Sequence, residues 1–188
     1  MKITRVLFAT VTIIALAVPG VAGQLRHYTN AKLGWSVSYP AGWKVDPHYI
    51  ADTNGGANVQ GVSFTIPDNL QHGTNLSSDQ TSVAVESLPG KGCKPQQFLE
   101  PGLDDGHVRK VMADGRTYWT LDSSEGAAGN LYNTTVFVVD GTSPCIAVSY
   151  LIHSTNIGNY DPGTIKAFDE KKLTGMFDAI RASLTLKK

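Results

Sequence analysis

The densest run of chemically capable side chains in this sequence lies between its last β-prone segment and its C-terminal helix. It carries an imidazole at His153, hydroxyls at Ser154 and Thr155, amides at Asn156 and Asn159, a phenol at Tyr160 and a carboxylate at Asp161. Groups of this kind, on a loop held by a rigid scaffold, can hydrogen-bond a small polar ligand or the backbone of a partner. The same residue types also serve structure: Asn and Asp satisfy local backbone groups, and Pro162-Gly163 launches a helix.

Two weaker constellations accompany it. Asp104-Asp105 beside Gly106-His107 pairs two carboxylates, a set suited to acid–base work or to holding a cation. Asp52 to Asn58 has the polar, Gly-rich composition of a calcium loop but lacks its ligand spacing and its distal bidentate Glu. Five histidines, at 27, 48, 72, 107 and 153, are too scattered to suggest a metal site, so neither a metal nor a cofactor is expected. The sequence holds no phosphate loop, dinucleotide fingerprint or nucleophile elbow. A catalytic set assembled only in space escapes such a search.

The elements that must position these groups begin with an export address. Met1-Lys2-Ile3-Thr4-Arg5 is basic, Val6 to Val18 is apolar, and small residues precede Gln24, the order of a secretory signal cut after Gly23 or Ala22. The apolar run is shorter than the roughly 20 residues that cross a bilayer. Residues 24–188 are then expected to form a single globular domain, periplasmic or secreted, with no membrane span after cleavage. Loss of Lys2 and Arg5 leaves fourteen basic residues against sixteen acidic ones, which disfavours nucleic acid as a partner. Cys93 and Cys145 are the only cysteines, and in an oxidising compartment they are expected to form one disulfide.

Period-two alternation marks most of the mature chain as strand. Trp35 to Tyr39, Val62 to Ile66 and Ser82 to Leu88 each alternate apolar and polar, and Val83 and Val85 share one face. Asp114-Gly115 reads as a hairpin turn. Leu131 to Val139 and Cys145 to Ile152 flank a Gly-containing loop as a central hairpin. Lys94 to Leu99 suits a short helix with proline near its start. A helix is expected from about Thr164 to Ser183, with Phe168, Met176, Phe177, Ile180 and Leu184 on one face. Trp35, Trp43 and Trp119 are expected in the core. The fold class is therefore α+β: an antiparallel β-sheet flanked by helices, with the C-terminal amphipathic helix packed on it.

Two stretches resemble the PsbP-like fold family, which contains the extrinsic photosystem II subunit and exported bacterial relatives. They are Gly34-Trp35-Ser36-Val37-Ser38-Tyr39-Pro40-Ala41-Gly42-Trp43 at the start of the mature chain and Phe177-Asp178-Ala179-Ile180-Arg181-Ala182-Ser183-Leu184 at its end. The resemblance implies an antiparallel sheet with helices and a role in binding or assembly. The functional expectation is an exported, non-catalytic module that engages a protein or envelope component through loops around the sheet. A hydrolase with a spatially assembled His/Asp/Ser site and a secreted enzyme inhibitor are the competing readings.

Overall fold

The computed structural model describes residues 24–52, 54, 58–103 and 106–187. The proposed export segment, the Asp104-Asp105 pair and most of the 52–58 loop lie outside the described residues.

Two sheets make up the body. β1 (Leu25–Asn30) and β2 (Trp35–Pro40) form an antiparallel hairpin, and β10 (Thr185–Leu186) pairs with the other edge of β2. The larger sheet is built from β3 (Lys44–Asp52), β4 (Asn58–Thr65), β5 (Ser82–Leu88), β6 (Arg109–Ala113), β7 (Arg116–Ala127), β8 (Asn130–Val139) and β9 (Cys145–Thr155). Its order is β3-β4-β5-β9-β8-β7-β6, and every neighbouring pair is antiparallel.

Both anticipated hairpins are present. Asp114 at φ 53° and Gly115 at φ 72° supply the two positive dihedrals that a tight turn between twisted strands requires. The β8–β9 hairpin puts the most apolar strand, β9, in the middle of the sheet between β5 and β8.

The one α-helix among the described residues, α1 (Glu170–Ala182), follows β9. The expectation of a sheet flanked by helices is therefore corrected to two antiparallel sheets and a single C-terminal helix. Lys94 to Leu99 winds only into a 3₁₀ turn over Pro95–Phe98, with Leu99 extended and Pro101 disfavouring a helical Glu100. Helix α1 also starts later than Thr164. Asp169 caps it by accepting the Lys172 N–H at 2.9 Å. The preceding residues are spent on other contacts: the Lys166 N–H goes to the Gly73 carbonyl and the Phe168 N–H to Asn75 Oδ1.

Alternation gives the large sheet two faces. On one, Val83, Val85, Ile146, Val148, Tyr150 and Ile152 meet α1 and the small sheet. Phe177 of α1 is fully buried, edge-on to Trp43 and Tyr150 at ring separations of 5.8 and 5.2 Å. Burying such a side chain contributes about 3 kcal/mol. At the end of the helix Arg181 is buried, its guanidinium 4.3 Å from the Phe137 ring centroid. It bonds Asp114 of the β6–β7 turn, Asp178 and the Tyr150 hydroxyl at 3.0, 2.7 and 2.9 Å. A buried cation with this many partners fixes orientation more than it adds stability.

On the opposite face a second cluster, including Val59, Leu88, Leu121, Val136, Val138 and Ala147, lies under the 89–103 segment, which contributes Phe98 and Leu99. The Cys93–Cys145 disulfide ties that segment to the start of β9. Trp35 and Trp43 are core residues, as expected. Trp119 is only half-buried, its indole N–H donated to Asp140 at 3.1 Å and the Lys110 ammonium 4.9 Å over its ring.

Candidate functional site

The 89–103 segment covers only part of the second face. Over the rest no described residue covers the sheet, and a cavity of about 500 Å³ forms there. Strand phase decides what lines it. Val83 and Val85 point toward the helix, so Ser82, Ala84 and Glu86 point the other way. Their neighbours in register, Ser63 and Thr65 of β4, Ser149 of β9 and Thr134 of β8, make a polar floor. Tyr49 of β3, Tyr132 of β8 and Phe98 and Leu103 of the covering segment form the walls, and Asp79, Glu100 and Glu125 complete the lining.

Glu86 is the unusual member. It lies on β5, inside the sheet, and is 1% exposed. Ser149 Oγ donates to its Oε2, and among the described residues no donor reaches Oε1. Burial drives its pKa from the ordinary 4.5 up to about 7, and the serine hydrogen bond opposes this only in part. Tyr49, on the same face, is held above its ordinary pKa, first by burial and then by the negative charges of Glu86, Glu100 and Asp46. Gly61 stands directly opposite Glu86 on β4. A Cβ there would lie 2.2 Å from the Val85 carbonyl oxygen, so any larger residue must push β4 away from the strand that carries Glu86.

The run from His153 to Asp161 is placed differently from the single loop expected. His153, Ser154 and Thr155 belong to β9, because the β8–β9 ladder continues to the Asn130–Thr155 pair. His153 is 8% exposed, its ring stacked on Tyr132 at 4.5 Å. Its two ring nitrogens meet Asp79 Oδ1 and Asn130 Oδ1, each at 3.1 Å. Of the seven residues, His153 is the one joined to the cavity, through Asp79 and Tyr132. Ser154 is buried, with its backbone bridged to Leu76. The Thr155 hydroxyl meets the Tyr160 hydroxyl at 2.8 Å. Asn156 caps a 3₁₀ turn over Ile157–Asn159 by accepting the Gly158 N–H, and its own N–H goes to the Gly129 carbonyl. Asn159 Nδ2 donates to the same carbonyl at 3.1 Å, while Asp161 is exposed and its backbone carbonyl receives Thr164.

These contacts pin the loop to the β7–β8 turn. Asn156→Ala is accordingly expected to lower stability by about 1 kcal/mol through loss of the cap, read as a lower urea midpoint. An unchanged midpoint would show that the loop is held by something else.

Sequence reasoning missed the cavity residues. The signal was present in β5: an acid in phase with Ser82 and Ala84 on a strand flanked on both sides by apolar strands. Among the described residues, no three His, Cys, Asp or Glu side chains converge closely enough to hold a metal ion. No helix of the described residues is long and apolar enough to cross a membrane.

No family model and no curated protein matches the sequence. Solved structures do match, at low identity. Cyanobacterial PsbP is among them. This CyanoP, from Synechocystis sp. PCC 6803, is 18% identical with a TM-score of 0.44, over 93% of this chain and 99% of that one. It belongs to the family that the two ends of the sequence resemble. A protein from Bacteroides thetaiotaomicron matches at 14% identity and a TM-score of 0.48, over 89% of this chain, which spans 50% of that protein's length. LpqN of Mycobacterium tuberculosis, involved in cell envelope biogenesis, matches at 16% identity and a TM-score of 0.40, over 88% of this chain and 91% of LpqN.

Proposed function

We propose that this protein is an exported, non-catalytic binding module that holds an envelope component, or a side chain of a partner protein, in the cavity on the open face of its large sheet. The observation that carries the reading is a sheet face that is tightly packed beneath the 89–103 segment and, among the described residues, uncovered beside it. A fold under selection for stability alone would close that face with apolar side chains; this one leaves serines, threonines and a buried carboxyl beneath an opening. Such polar groups in an otherwise well-built core are where binding is expected to be.

The 153–161 stretch takes part through His153, which holds Asp79 at the cavity, and Asn156, Asn159 and Tyr160 stiffen the loop behind it. With both ring nitrogens engaged, His153 acts as a support rather than as a base. The Cys93–Cys145 disulfide is compatible with maturation in an oxidising compartment.

The reading is tested by filling the cavity. The protein and its Ala84→Trp variant, both expressed from the full coding sequence, are incubated with a small-molecule extract of envelope and re-isolated. Mass spectrometry should find a compound retained by the wild type and absent from the variant, with both giving cooperative thermal unfolding. The same cargo on both, or none on either, would sink the reading.

A further inference from the structure

We propose that the cavity takes a small organic cation bearing protonated amine groups, with the Glu86 carboxylate as its innermost partner. The inference rests on the binding reading above and names the chemical class of the ligand. Three observations converge on it.

The first is charge. Glu86, Asp79, Glu100 and Glu125 line the cavity, and among the described residues no lysine, arginine or histidine does, His153 standing behind Asp79 at 3.1 Å. Glu86 is buried while Asp79, Glu100 and Glu125 are exposed around the opening, so an incoming cation meets a rim of negative charge before it reaches the low-dielectric site of Glu86.

The second is the unmet hydrogen-bonding capacity of Glu86. An ionised carboxylate accepts at about four positions, and here Ser149 serves one oxygen while the other has no donor among the described residues. The side chain is 1% exposed, so bulk water compensates poorly. An ammonium group brings both the charge and the N–H donors. A quaternary ammonium brings the charge alone, so it is expected to bind less well.

The third is shape. The carboxylates do not gather around a point, and no three of them can ligate one metal ion. A chain with ammonium groups separated by methylenes can reach from the buried carboxyl to the others, its apolar stretch lying against Tyr49, Phe98 and Tyr132. A volume of about 500 Å³ is ample for a diamine of five carbons.

Binding should be linked to protons. The titratable groups that share the cavity with Glu86 among the described residues are Tyr49 of β3, Asp79 of the β4–β5 connection, Glu100 of the covering segment, Glu125 of β7, Tyr132 of β8 and Tyr150 of β9. Among them Glu86 is the carboxyl whose ionisation is pushed to about pH 7. An ammonium favours its ionised form, so binding near pH 6 should release close to one proton. The apparent affinity should rise with pH up to about 7 and then level off, with cadaverine about 30-fold weaker at pH 5.5 than at pH 8.

The experiment is isothermal titration calorimetry of the protein with cadaverine, at several pH values and in two buffers of different ionisation enthalpy. 1,5-Pentanediol and choline serve as the neutral and quaternary controls. The expected result is cadaverine binding with proton release, and both controls at least tenfold weaker. Glu86→Gln should weaken cadaverine at least tenfold and abolish both the proton release and the pH dependence. Its melting temperature, measured alongside, verifies that it is folded.

Cadaverine binding that is independent of pH and unchanged in Glu86→Gln would overturn the proposal, as would pentanediol binding equally well. Absence of cadaverine binding up to millimolar concentration would also overturn it. If the Ala84→Trp variant still lost an envelope compound that the wild type retains, only the assignment of the ligand as an amine would have failed. Loss of that difference as well would remove the cavity itself.

Discussion

Replacing Cys93 and Cys145 together by alanine is expected to cost about 4 kcal/mol of folding stability. The two residues are 52 apart in sequence, so the bond removes a long loop's worth of freedom from the unfolded chain. The folded side of the balance points the same way. Cys145 is buried at the start of β9, and the bond delivers the 89–103 segment, with Phe98 and Leu99, onto the apolar half of the open face. Without it, that segment keeps its apolar contacts but no covalent anchor. For a chain of this size the cost corresponds to a fall of roughly 8–16 °C in melting temperature by calorimetry. Hydrogen exchange should quicken first at the Asn54 amide, which is bonded to the Leu99 carbonyl at 2.7 Å. A double variant that melts within 3 °C of the wild type would refute the argument. Because Phe98, Glu100 and Leu103 also wall the cavity, ligand retention should weaken along with stability.

The second large effect has the opposite sign. Glu86→Gln is expected to stabilise the protein at pH 8 by about 3 kcal/mol, raising its melting temperature by roughly 6–12 °C. A folded-state pKa of about 7 against 4.5 means that the folded protein binds more protons than the unfolded chain between those values. Stability contributed by this group is therefore complete below pH 4.5, falls as pH rises toward 7, and stays low above that. Glutamine keeps the shape and can still accept the Ser149 hydrogen bond, but it carries no charge to bury. The difference between variant and wild type should shrink below about 1 kcal/mol at pH 5 and vanish near pH 4. Comparing the two proteins at each pH cancels the titration of every other group. A variant less stable than the wild type at pH 8, or a difference that does not change with pH, would show that Glu86 is satisfied when ionised. Stability gained with ligand binding lost is the signature of a residue kept for function.

What could be read from the residues in order was local. Asp114-Gly115 encodes its turn because positive φ at two successive positions suits those residues. Strand existence followed from alternation, the helix face from its spacing of Phe177 and Ile180, and the disulfide from having only two cysteines in a chain read as exported. Boundaries failed where a distant segment competed for the backbone. Thr164 to Phe168 is not helical because Gly73 and Asn75, some ninety residues earlier, take its hydrogen bonds.

The candidate site divides in the same way. The polar richness of residues 153–161 was visible in the sequence, but composition cannot tell a side chain that waits for a ligand from one that caps its own turn. Asn156 and Asn159 proved to be occupied by Gly158 and Gly129. Glu86 was visible too, in phase with Ser82 and Ala84 and opposite to Val83 and Val85 on the same strand. Period two divides each strand's side chains between two faces, but it does not say which face will be covered, or how far along. That depended on where β3, β4, β5, β8 and β9 meet in register, and on how much of the face the disulfide-tethered segment can reach. These non-local distances left Glu86 buried beneath an opening.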